Sequence, residues 1–223
     1  MEIWTTFFVF FHVLLMAFWL GADMGTYYAA ILILKKDYSP QQRAVLARVL
    51  QGVDIFPRIA MCLILPSGLT IAAHRGWSPI DGGWLYLAWV IGLVWAWGVW
   101  NIHRPTAPAW GKKLHGIEDV WNYVALGLVA AGVIWALAGE DFLPANWLVL
   151  KLALYGATIF ILIVVNIMFK PFGPAFGRLL SEGSTPEVEG IISGLINRGK
   201  PWIWAIWAIV VLNTALAQFK PDF

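Results

Sequence analysis

Cysteine is all but missing from this chain. The one residue present, Cys62, lies inside an apolar run, which excludes a disulfide framework and a thiolate metal site. Charge is scarce too, at 13% of 223 residues, and a net value of +2 is too small to draw nucleic acid. No Walker loop, dinucleotide fingerprint or serine nucleophile elbow occurs, so those nucleotide-binding and hydrolytic classes are set aside. No helix carries HxxxH or HExxH, and a closed zinc site is not indicated. There is no repeat of useful length and no low-complexity stretch. No Lys/Arg-rich leader precedes the first apolar run and no small-residue cleavage site stands out, so residues 3–34 read as a retained helix.

What remains is hydrocarbon. The chain is 60% hydrophobic with mean hydropathy +0.72, values that belong to membrane proteins. Six apolar stretches reach the length of about 20 residues that a bilayer requires. They run over 4–32, 54–74, 84–102, 119–138, 146–169 and 202–219. Backbone groups in lipid must be satisfied within the segment, so all six are expected to be helices and strand content to be near zero. Many of the 15 Trp sit at segment ends, as an aromatic belt requires. The expectation is one integral membrane domain, residues 1–223: an all-α polytopic transmembrane bundle, its surroundings a lipid bilayer.

Orientation follows from the basic residues. Twelve of the fifteen, from Lys35 and Lys36 through Arg198 and Lys200, fall on one side of a six-helix chain; Arg75, Lys151 and Lys220 fall on the other. The positive-inside rule then puts both termini outside, periplasmic for a bacterial inner membrane. Two connections on the basic side carry helix-start signals, Ser39-Pro40 and Thr185-Pro186. Val45, Leu46, Val49 and Leu50 follow the first; Val188, Ile191, Ile192, Leu195 and Ile196 follow the second, ahead of Gly199. Both read as short interfacial helices. They either cover the inner end of the bundle or dock a partner, a second membrane protein or another copy of this chain.

The first segment organises the rest. His12, Met16, Trp19 and Asp23 fall on one stripe, since eleven residues return a helix to within about 20° of its starting direction. Ionisable groups inside a spanning segment face an interior, a cavity or a ligand. His12 lies about 12 Å along the helix from Trp4, inside the hydrocarbon. It is either a packed, hydrogen-bonded core histidine or a ligand to haem iron or another metal. Gly21 and Gly25 flank Asp23 at GxxxG spacing, which admits a close neighbouring helix. Asp23 has Arg58 and Tyr27 as its candidate donors, and Asp54 and Arg58 form an i,i+4 ion pair.

On the fifth segment Lys151, Tyr155, Thr158 and Asn166 make a polar stripe about 80° wide. Lys151 either snorkels to the outer interface or stands as an interior cation for the carboxylate of a substrate or cofactor. Tyr155, Thr158 and Asn166 are packing groups on the first of these readings and site residues on the second. Of the remaining histidines, His103 and His115 flank an inner loop, while His74 closes the second segment on the same side as His12. His74 is therefore the first choice for a second haem ligand.

Three stretches carry a resemblance. His12 through Gly21 (HVLLMAFWLG) resembles the first helix of the HemJ and CopD-like membrane superfamily, where a His, a Trp and a Gly recur at this spacing. Trp147 through Leu154 (WLVLKLAL) resembles the Trp-x-x-x-Lys-Leu start of a later helix in that group, and Pro57 through Gly68 is a looser match. Three of six segments are covered. HemJ proteins bind haem b and are implicated in oxidising protoporphyrinogen. The resemblance thus implies His12 as a haem ligand and Lys151 as an essential site residue; Trp19, on the His12 stripe, is expected at the cofactor, and Tyr155, four residues beyond Lys151, is expected to share its catalytic role. It implies a membrane oxidoreductase; CopD-like members are associated instead with copper handling. This chain has two helices more than the four-helix HemJ pattern, and its Lys151 helix has no histidine. The readings are then a haem b redox protein of the inner membrane, a copper or small-solute transporter, or a cofactor-free subunit of a membrane complex.

Overall fold

In a bilayer the backbone has only itself to bond to, and each long apolar run of this chain is helical. The computed structural model describes residues 2–104, 106–139 and 143–221. Among them lie α1 (Glu2–Ile33), α2 (Pro40–His74), α3 (Gly82–His103), α4 (Ala109–Lys112), α5 (His115–Leu137), α6 (Asn146–Phe169), α7 (Phe172–Glu182) and α8 (Pro186–Phe219). No strand occurs among the described residues. Six helical stretches are long and apolar enough to cross a membrane. Their outward faces are apolar: Phe7, Phe10 and Phe18 on α1 and Val90, Leu93 and Val94 on α3 are largely exposed. Such faces belong against lipid, and the protein is an integral membrane bundle. Phe223, behind the expected outer C-terminus, lies outside the described residues.

Both helix-start signals are real, but neither opens a separate surface helix. Ser39 accepts from the Gln42 amide at 3.3 Å and Gln42 Oε1 accepts from the Ser39 amide at 2.8 Å, a full capping box. Thr185 accepts from the Val188 amide at 3.4 Å. From these caps α2 and α8 run unbroken into their spans, through Pro57 and Pro66 in α2 and Pro201 in α8. The two helices therefore project beyond the hydrocarbon at the end of the molecule rich in Lys and Arg, the basic end.

Their apolar stripes are used within the chain. Val188, Ile192 and Ile196 are buried with Ile33, Ala175, Phe176 and Leu179, and Leu46 and Leu50 pack on this cluster. The amphipathic α7, unforeseen from sequence, supplies three of those residues. Arg43 of α2 grips Glu189 of α8 with two parallel bonds, Nη1–Oε1 at 2.5 Å and Nη2–Oε2 at 3.0 Å. A short polar core thus closes the basic end. Leu46 and Leu50 of the first stripe and Val188, Ile192 and Ile196 of the second pack inward, while Val45 and Val49 of the first stay exposed.

α2 packs between α1 and α3, α6 packs between α5 and α8, and α1 meets α8. α2 and α6 share no extensive backbone contact. One long side chain bridges them: the Tyr155 hydroxyl donates to the Met61 carbonyl at 3.0 Å. The gap beside that bridge is the cavity described next.

Candidate functional site: a lateral cavity in the membrane

The cavity holds about 200 Å³ and is partly open. α1 contributes His12, Met16 and Trp19, successive members of one helical stripe, and α6 contributes Lys151, Tyr155 and Thr158. The two polar stripes legible in the sequence thus face each other across one space. Apolar residues of α2 and α8 complete the wall, with Asn213 and Thr214 of α8 the polar additions. Asn166 and His74 are not among the lining residues.

His12 is held through Nδ1. Its Nδ1 lies 2.8 Å from Ser67 Oγ, and that hydroxyl lies 2.9 Å from the Ile64 carbonyl. A carbonyl cannot donate, so the single hydroxyl proton of Ser67 goes to Ile64, and Ser67 accepts from His12. The network therefore assigns the proton to Nδ1 and leaves Nε2 with a bare lone pair. Gly68 lets the ring sit this close to α2: a Cβ there would lie 3.2 Å from His12 Cε1. Ser67 and Gly68 were not singled out in the sequence, though both lie within the Pro57–Gly68 stretch of looser resemblance.

Lys151 does not run out to the interface. Its Nζ crosses to α8 and donates to the Asn213 carbonyl at 2.7 Å. An ammonium has three donors. Among the described residues no carboxylate forms an ion pair with it. The described residues therefore line the cavity with one cation that has no carboxylate partner among them and one imidazole acceptor, set in apolar walls. Tyr155 has a different position: its proton is committed to the Met61 carbonyl, so its visible work is to tie α6 to α2. Thr158 and Thr214 likewise donate back to their own helices, at 3.0 and 2.9 Å.

The Nδ1 of His74 lies 3.4 Å from Thr5 Oγ1, and its ring meets Phe8 edge-on. Thr5 precedes His12 by seven residues and Ser67 precedes His74 by seven, so the histidines stand about 10 Å apart along paired helices. The His74 ring turns to Thr5 and Phe8 of α1, and it does not line the cavity. Asp23 is corrected: its partner is neither Arg58 nor Tyr27 but Trp207, whose Nε1 donates at 2.7 Å. Tyr27 packs against that indole edge-on, and Arg58 holds Asp54 at 2.6 Å, as the i,i+4 spacing required. Of the two GxxxG glycines, Gly25 approaches Val53 of α2, while Gly21 faces open space.

Comparison with protein families, with curated proteins and with solved structures finds no match to this chain.

Proposed function

We propose that the cavity binds a flat, largely apolar ligand that bears an acidic group, and that this ligand is haem b in the service of membrane redox chemistry. The observation that carries the reading is the pairing of His12 and Lys151 across one apolar space. Nε2 of His12 is a lone pair without a proton, the form an iron ion requires. The Ser67 hydroxyl behind Nδ1 fixes ring orientation and tautomer, as outer-shell partners of metal-bound imidazole do. Lys151 supplies the positive charge that a propionate seeks in a low-dielectric setting. The walls suit a macrocycle only in part. Ligand pockets commonly measure about 300–1,000 Å³, and this one is smaller, so part of the ring would lie at its opening. His12 would hold the iron and Lys151 a propionate, and electron transfer is the chemistry the haem would supply when bound.

The protein's own groups bind, orient and exclude water. Neither His12 nor Lys151 has an acid or base partner among the described residues, and Tyr155 has spent its proton on a carbonyl. By the positive-inside rule the cavity faces the outer half of a bacterial inner membrane. The test is the absorbance spectrum of the purified protein with and without added haem. A Soret band that His12→Ala abolishes or changes in spin state, and that Lys151→Ala retains with altered potential or turnover, supports the reading. No Soret absorbance after haem supplementation overturns it.

A further inference from the structure

His103 and His115 stand at the two edges of one inner loop, and spacing along any one helix gave no reason to join them. The fold joins them. α3 ends at His103, the chain turns through 104–114, and α5 begins at His115. Gly111 makes the turn tight, because a Cβ there would strike the Asn101 carbonyl of α3. The two imidazoles meet with ring centroids 5.4 Å apart and planes at 88°. Glu118, one turn into α5, lies 2.8 and 2.9 Å from His103 Nε2 through its two oxygens, and 3.8 Å from His115 Nδ1. One ligand atom from each of the three residues lies within 4.8 Å of the others.

A tetrahedral ion with bonds of 2.0–2.1 Å holds its ligand atoms about 3.3 Å apart. The contacts of Glu118 to the two histidines bracket that value. Closing the remaining gap needs only a turn of His115, whose side chain is 55% exposed.

We propose that His103, His115 and Glu118 bind a divalent transition-metal ion of the zinc class at the basic end of α3 and α5, with water in the fourth position. Two imidazoles with one carboxylate suit such an ion and not magnesium or calcium, which take oxygen ligands. Glu118 offsets one of the two charges. Asp119, which pairs with Lys170 at 3.6 Å, adds negative charge nearby, and Arg58 opposes it from α2. The ion would replace the proton that His103 now shares with Glu118. It would also clamp α3 to α5, which share little backbone contact. Exposure of His115 makes the site one that exchanges its ion with the aqueous phase. The site is independent of the lateral cavity, since none of its three ligands lines that space.

The test is titration of the full-length, chelator-stripped protein in detergent with Co²⁺, followed by displacement with Zn²⁺. The expected result is one equivalent of Co²⁺ with the intense visible absorption of a four-coordinate ion, released by Zn²⁺. His115→Ala keeps the His103–Glu118 contact and so spares the fold; it should weaken uptake at least about tenfold, the loss that even an outer-shell change brings. Glu118→Gln should weaken it further, and His12→Ala should leave it intact whether or not haem binds. Absence of saturable uptake, equal uptake by His115→Ala, or loss of uptake in His12→Ala would each overturn the proposal.

Discussion

Consider Arg43 and Glu189 replaced one at a time and then together. The Arg43 side chain is 1% exposed and that of Glu189 is 11% exposed, so neither is solvated where it stands. Removing one partner of a buried pair leaves an uncompensated charge, at about 3–5 kcal/mol. At about 1.4 kcal/mol per tenfold, that is two to three and a half orders of magnitude in the folded-to-unfolded ratio. The two single changes should not cost the same. After Arg43→Met, Glu189 keeps the Ser184 hydroxyl as a donor at 2.5 Å and some access to water. After Glu189→Leu, Arg43 is left with no carboxylate, and its buried Nε already lacks a partner. Glu189→Leu should therefore sit at the upper end of the range and Arg43→Met at the lower end. The double substitution removes both charges into an apolar cluster and should recover most of the loss, since apolar replacement of a buried pair is often neutral. Denaturing-detergent titration of purified protein in mixed micelles, followed by circular dichroism, measures all four species. Single variants within about 0.5 kcal/mol of the parent, or a double variant as weak as the sum of both, would refute the reasoning.

Three further outcomes are expected. Arg58→Met should lower folded yield and leave activity per folded molecule alone; with Arg58 and Asp54 16% and 26% exposed the loss falls between the surface range of about 0–1 and the buried range of about 3–5 kcal/mol. Normal yield with abolished activity would place Arg58 in the site. Gly68→Ala should push the His12 ring off its seat on α2 and reduce haem reconstitution in a titration followed at the Soret band; an unchanged binding curve would show that the close contact does not matter. Tyr155→Phe should cost about 0.5–1.5 kcal/mol in the same unfolding titration through the lost bond to Met61, with turnover unchanged. Loss of turnover at unchanged stability would return Tyr155 to a catalytic role.

Residues within one helix were the most legible. His12, Met16 and Trp19 were placed on a common face by arithmetic alone, as were Lys151, Tyr155 and Thr158, because helical geometry repeats every 3.6 residues whatever surrounds it. Ser39 and Thr185 announced helix starts because a cap is a bond across three residues. Errors came wherever a partner lay on another helix. Asp23 has Trp207 at 2.7 Å, 184 residues away, and with 15 Trp in the chain nothing local marks the one that turns inward. His74 shares a side of the membrane with His12, yet which way its ring turns, here to Thr5 and Phe8, was not legible in the sequence. His115 and Glu118 carry an i,i+3 spacing that could have drawn attention, but His103 reaches them only through the turn at Gly111.

The sequence by itself determined that this chain is a six-span helical membrane protein and which face of α1 and of α6 is polar. Those properties are set by segment length, apolar content and the period of a single helix, all of them local. Tertiary structure alone decided that the two polar faces meet in one cavity, that Ser67 fixes the His12 tautomer, and that Lys151 turns to α8 instead of the interface. It also decided that Leu46 and Leu50 after Ser39, and Val188, Ile192 and Ile196 after Thr185, pack inward at the basic end. Each of these depends on the rotation and separation of neighbouring helices, and in lipid those are settled by side-chain packing between segments far apart in the chain.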